Sequence, residues 1–159
     1  MINKKYLKLL RSQQRFDENN FIYKIIARRI IDSLDLLNIR FNKILEIGIN
    51  ENKTYNYLER KFHDLYFDRA DLCLSKLNVS NRYNFIEIDL QKLFFKNNFY
   101  NLIFSNCFMH LSNNFEKNLS VVLNSLEPNG FFIAAIPDKE SMFQLLNSMY
   151  ETDLFIYKG

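Results

Sequence analysis

Ten residues constrain this chain more than any others: Lys43-Ile44-Leu45-Glu46-Ile47-Gly48-Ile49-Asn50-Glu51-Asn52. A short apolar, β-forming run ends at an acid and a glycine, and a helical pattern starts at about Thr54. The chain has three glycines in all, so one placed here marks a backbone turn that other side chains resist. Strand, tight turn and helix in this order form the point where an open α/β sheet meets a nucleotide-type ligand.

The rest of the chain repeats the alternation. Ile22, Ile25, Ile26, Ile30, Leu34 and Leu37 recur at three- and four-residue steps, which predicts a helix over 19–37 packed on the sheet. After the strand at 43–47 the pattern predicts a helix at 53–62, a strand at 66–71, a short helix at 73–78 and strands at 84–88 and 100–105. A helix over 114–126 aligns Phe115, Leu119, Val122 and Leu126, with Asn113 and Glu116 spaced as a capping box. Glu127-Pro128-Asn129-Gly130 ends that helix by turn chemistry. The strand at 131–136 is apolar on both faces, as a buried parallel strand is. Asp138 is placed to cap a last helix with the stripe Met142, Leu145, Leu146 and Met149, and 151–159 begin one more element. One domain over 1–159 is expected, with a parallel sheet and right-handed crossovers.

Composition excludes several classes. Hydrophobic content of 48% and charged content of 25% suit a soluble globular chain. No apolar run approaches the roughly 20 residues that span a bilayer, and the basic N-terminus lacks the apolar core of a secretory signal. A cytoplasmic location is therefore expected. A net charge of +3 gives no argument for nucleic acid. Cys73 and Cys107, with His63 and His110, match no metal-ligand spacing, so no metal and two free thiols are expected. The lean toward Asn, Lys, Ile, Phe and Tyr points to an A/T-rich bacterial genome. Residues 1–18 form a basic arm, with Lys4, Lys5, Lys8, Arg11 and Arg15 among Tyr6, Leu7, Leu9 and Leu10. A solvated helix face is the first reading of that arm, and contact with an acidic partner or membrane surface the second.

Ligands of open α/β sheets bind beyond the carboxyl ends of the strands. The residues standing there are Glu46, Gly48 and Asn50 after the first strand, Asp71 after the second, Asp89 after the third, and Ser105, Asn106, Cys107 and His110 after the fourth. Asp71 follows Gly48 by about twenty positions, the spacing at which an acid accepts both ribose hydroxyls. Asp68 also fits that spacing but lies inside the strand pattern. Asp89 is placed to accept from an adenine amino group, though each aspartate taken singly also reads as a cap or loop residue. His110 is the one residue placed to act as a base or to bind an acceptor; beside Met109 and Leu111 it also reads as a packing residue.

These motifs, in this order, resemble class I S-adenosylmethionine-dependent methyltransferases. Leu45-Glu46-Ile47-Gly48 is similar to the first motif of that family and Arg69-Ala70-Asp71-Leu72 to the acidic second. Glu87-Ile88-Asp89-Leu90 through Phe95 is similar to the third, and Tyr100 through Asn106 to the fourth. Leu126 to Phe131 resembles the turn before the fifth strand. Arg15-Phe16-Asp17, Ser105 to His110 and Ile136 to Leu146 resemble more narrowly the branch of the malonyl-carrier methyltransferases and the related respiratory complex I assembly factors.

The resemblance implies a Rossmann-like sheet of about five parallel strands with flanking helices, lacking most of the antiparallel C-terminal strand pair. It implies S-adenosylmethionine as cofactor, with Glu46, Gly48, Asn50, Asp71, Leu72, Asp89, Leu90 and Asn106 as its binding residues. The acceptor would be a small carboxylate thioester or a protein, and His110 the candidate catalytic group. Asn50 and Asn52 stand where the family has glycines, and Asn101 where it has Asp. Asparagine is the best non-glycine residue at positive φ, so the two asparagines are expected to hold such a turn. The alternative is a degenerate, non-catalytic binding or assembly protein on the same fold. A nicotinamide dehydrogenase would need a G-x-G-x-x-G turn, which is absent. Sheet-edge surface near 131–159 invites a homodimer.

Overall fold

The computed structural model describes residues 3–13, 21–73, 82–138, 140 and 143. Helix α1 (Lys4–Gln13) and helix α2 (Phe21–Asp35) precede strand β1 (Lys43–Ile47), helix α3 (Lys53–Lys61), strand β2 (Tyr66–Asp71) and strand β3 (Asn84–Glu87). Strand β4 (Tyr100–Asn106), a 3₁₀ turn at Met109–Leu111, helix α4 (Phe115–Asn124) and strand β5 (Leu126–Ala135) follow. All four strand pairings are parallel and the order is β3-β2-β1-β4-β5. This is the expected Rossmann-like sheet with flanking helices. Most of the short helix near 73–78, the stripe Met142, Leu145, Leu146 and Met149, and residues 151–159 lie outside the described residues.

Alternate side chains of the central strands feed two cores on opposite faces of the sheet. Ile44, Phe67, Leu102 and Phe104 join Ile30 and Leu34 of α2 and Tyr55 and Leu58 of α3. Leu45, Ile47, Ala70 and Ile103 join Leu72, Leu90, Phe108 and Val122 of α4. Burial on both faces explains why the β1 and β4 sequences read as continuous apolar runs.

Four expectations need correction. In α2 the buried residues are Ala27, Ile30, Ile31 and Leu34, while Ile22 and Ile25 are exposed, so the apolar stripe is rotated toward Ala27. The N-cap of α4 is Asn114 rather than Asn113, without a side-chain cap bond, and the nearby Ser112 hydroxyl accepts from the Asn114 N–H. The turn at Glu127–Gly130 does not end the helix, because α4 already stops at Asn124 and the Ser125 hydroxyl donates to the Val121 carbonyl. It is a bulge inside β5 instead: Tyr100 pairs with Leu126 and Leu102 with Phe131, and Asn129 takes φ 66°. Finally, Phe131–Ala135 are half-buried, since β5 is the edge strand of the described sheet.

Candidate functional site

Strand order reverses between β1 and β4, which opens a crevice at their carboxyl ends. Gly48 makes the turn there with φ 85°, and its N–H donates to the Ala70 carbonyl at 2.7 Å. A Cβ at this position would lie 2.1 Å from Phe108, a fully buried ring from the loop after β4. Both the positive φ and the contact demand glycine.

Asp71 ends β2 beside that turn and is almost fully buried. The Ile49 N–H donates to its Oδ2 at 2.7 Å and the Leu72 N–H to its Oδ1 at 2.7 Å. The remaining capacity of the carboxylate goes to a residue that sequence reasoning placed in solvent. Arg11 of α1 donates to Asp71 from Nε at 3.1 Å and from Nη2, to the Ile49 carbonyl at 3.2 Å, and to Asn50 Oδ1. Its guanidinium carbon lies 5.1 Å from the centroid of the Phe108 ring, and its side chain is 8% exposed. Within the described part of the basic arm, α1 therefore docks one face on the sheet through Arg11 and leaves Tyr6, Leu9 and Leu10 exposed.

The docking continues along α1. Lys8 pairs with Glu87 and Lys4 with Asp89. The bond to Glu87 raises the Lys8 pKa, and the bond to Lys4 lowers that of Asp89. Leu7 packs on the core cluster that holds Leu72 and Leu90. A cavity of 240 Å³ remains, with Lys4, Leu7, Leu72, Asp89 and Leu90 in its wall.

Asn50 and Asn52 do not replace glycines at positive φ; among the described non-glycine residues only Asp64, Asn98, Cys107 and Asn129 take it. The Asn50 side chain is buried, and its Nδ2 donates to the carbonyls of Asn106 and, at 3.4 Å, Cys107. Asn52 accepts from Arg69 Nη1 at 2.9 Å. Both cross-link neighbouring segments, a task that needs side chains rather than backbone freedom. Asn101 lies at the opposite end of the sheet, where its Oδ1 accepts from the N–H groups of Asn42 and Lys43. Its departure from the family pattern leaves the cleft untouched.

Glu46, at the end of β1, is held by a buried ion pair. It is 1% exposed and accepts from Arg69 Nε at 2.5 Å, its direct register neighbour on β2. Arg69 lies 4.9 and 5.2 Å from the ring centroids of Tyr55 and Tyr83, and donates to the Glu51 carbonyl. Burial pushes the Glu46 carboxyl up to about 7 against the pull of Arg69. The one signal for this pair in the sequence was an arginine inside a buried strand pattern. Asp68, in the same strand, is structural as well, accepting from the Tyr100 hydroxyl at 2.5 Å and Asn84 Nδ2 at 2.9 Å.

At the end of β4, Asn106 Nδ2 donates to the Tyr23 carbonyl at 2.9 Å, while its Oδ1 is buried without a partner. His110 sits half-buried on the 3₁₀ turn with Nδ1 likewise unpartnered, and burial lowers its pKa. A neutral imidazole with an open nitrogen can accept a proton. Cys107 takes φ 51°, and burial pushes its thiol up, away from nucleophile chemistry. On the other side of the Gly48 turn a 640 Å³ cavity opens between α2 and α3, walled in part by Lys24, Arg28, Asn50, Asn52, Lys53 and Arg60.

The strand ends thus present a buried carboxylate at Asp71, a second acid at Asp89 and apolar side chains at Leu72 and Leu90. In the conformation described, Arg11 and Leu7 of the same chain meet these groups.

No protein-family model matches the chain, and no curated protein matches it in sequence. Solved structures do match in fold. The plantazolicin methyltransferase BpumL, solved with a pentazolic desmethylPZN analog and SAH, aligns at TM-score 0.63 and 20% identity over 82% of this chain and 53% of its own. An S-adenosylmethionine-dependent methyltransferase from Mesorhizobium loti aligns at TM-score 0.58 and 17% identity, over 69% and 52%. A putative S-adenosyl-L-methionine-dependent methyltransferase from Methanococcus maripaludis aligns at TM-score 0.53 and 16% identity, over 98% and 73%. The chain spans about half the length of the first two. Its fold is that of the class I S-adenosylmethionine-dependent methyltransferases.

Proposed function

We propose that this chain is a class I methyltransferase that binds S-adenosylmethionine at the carboxyl ends of β1, β2 and β4. The observation that carries the proposal is Asp71, a buried carboxylate at the end of β2 that receives the Ile49 N–H from the Gly48 turn. Asp71 would take the ribose hydroxyls, Asp89 the adenine amino group, and Leu72 and Leu90 the faces of the base. Gly48, Asn50 and Asn106 stand where the amino-acid portion would lie.

The sulfonium cofactor supplies an already activated methyl group. The work left to the chain is alignment of acceptor and donor. A carboxylate acceptor has no proton to lose, and for a protein acceptor the neutral His110 imidazole is the candidate base. The 640 Å³ cavity beside Asn50 is within the size range of small-molecule sites, and Arg28, Lys53 and Arg60 against Asp32 and Glu51 leave its wall net basic, which suits an anionic acceptor such as a carboxylate thioester.

A second reading, a non-catalytic assembly protein, is favoured by the way Asp71 is already satisfied within its own chain. Calorimetric titration with S-adenosylmethionine and S-adenosylhomocysteine separates the two. Binding is expected, weakened about tenfold or more by Asp71→Asn. Absence of both heat and thermal shift at millimolar ligand, in the wild type and in Arg11→Ala, would leave the assembly reading standing.

A further inference from the structure

We infer that the nucleoside cleft is a docking site for the chain's own helix α1, and that the docked helix and the nucleoside exclude one another. The inference rests on the cofactor reading above and adds its regulation.

Charge and shape both select α1 as the occupant. Lys4, Lys8 and Arg11 share one helix face, and each meets a separate acid: Asp89, Glu87 and Asp71. Those acids stand at and just beyond the ends of β2 and β3, where Asp71 and Glu87 are register neighbours. Leu7, on the same face, covers the cluster containing Leu72 and Leu90. A basic amphipathic helix thus fits an acidic rim with an apolar floor.

Exclusion follows from counting at Asp71. An ionised carboxylate offers about four lone-pair sites, and four donors reach this one: the N–H groups of Ile49 and Leu72, and Nε and Nη2 of Arg11. Two ribose hydroxyls can bind only where the two guanidinium bonds now are. The 240 Å³ left beside Leu7 is below the roughly 300 Å³ at which small-molecule pockets begin. A helix folding down over a bound nucleoside would leave that carboxylate open; here it is closed.

The docking is reversible by construction. A ten-residue helix is marginal by itself, so α1 holds its shape by contact with the cleft. The two lysine pairs are exposed and screened by salt, which leaves Arg11 as the buried lock.

Calorimetry and amide hydrogen exchange on the full chain, with S-adenosylhomocysteine as probe, test this. Arg11→Ala should bind the probe at least tenfold more tightly than wild type. Leu7→Asp should do the same without touching any residue of the lock, which guards against misfolding of the first variant. Probe added to wild type should speed exchange of the α1 amides, and Asp71→Asn should speed it without probe. Equal affinity in wild type and both variants, or α1 amides that become more protected with probe, would overturn the exclusion while the cofactor site stands. Failure of every form to bind probe would overturn the cofactor reading itself and the exclusion with it.

Discussion

Two arginine–carboxylate pairs lie a few residues apart in this molecule and do opposite things. Arg69 and Glu46 face each other across β2 and β1, both 1% exposed, with both partners on central strands. Arg11 and Asp71 are 8% and 4% exposed, but only the acid belongs to the sheet. Removing one partner of a buried pair leaves an uncompensated charge, so such pairs act as structural commitments wherever neither partner can leave. Arg69 cannot leave: it is held by Glu46, Asn52, the Glu51 carbonyl and two aromatic rings. Arg11 can leave with its helix, and Asp71 would keep the Ile49 and Leu72 amides. The same chemistry is a rivet in one place and a plug in the other.

The contrast can be broken at several points. Arg69→Ala should cost the most, about 3–5 kcal/mol of folding stability in urea denaturation above about pH 7, where the ionised Glu46 is stranded in the sheet. If it costs no more than Arg11→Ala, the distinction between rivet and plug is lost.

Gly48→Ala should cost about 3 kcal/mol, from positive φ and the collision with Phe108. A smaller loss with intact probe binding would mean that the turn relaxes.

Glu46 adds a pH signature. Its carboxyl is raised from 4.5 to about 7 in the fold, so the folded state holds the proton more tightly than the unfolded chain. The corresponding stability is fully present below about pH 4.5 and is lost as pH rises through about 7. Denaturation midpoints across that window should fall with pH in wild type and flatten in Glu46→Gln.

Arg11→Ala should cost only about 1–2 kcal/mol, since Asp71 retains two amide donors. Lys4→Ala and Lys8→Ala should leave the denaturation midpoint unchanged, because both pairs sit at the surface.

Local chemistry made much of this molecule legible in advance. The strands Lys43–Ile47 and Tyr66–Asp71 and the helix Lys53–Lys61 follow from short-range periodicity and a single glycine. So does the placement of Asp71 beside the Gly48 turn, which depends only on strand order. The contacts around the cleft that the sequence hid share one cause: each needs a partner distant in sequence. The Glu46–Arg69 pair was hidden because the two residues meet only through the register of β1 and β2. Asn50 looked like a glycine substitute until its amide met the Asn106 carbonyl. The bulge at Glu127–Gly130 shows the same limit, because turn residues announce a bend without saying which element bends. Arg11 was the hardest to foresee. A basic helix facing solvent and a basic helix facing three acids of its own sheet have the same sequence signature.

The decisive measurement is a crystal structure of the full chain grown with S-adenosylhomocysteine. The ribose hydroxyls should lie on the Asp71 carboxylate, with Arg11 withdrawn from it and Arg69 still on Glu46. A structure with the ligand bound in the cleft and Arg11 still on Asp71 would contradict the exclusion.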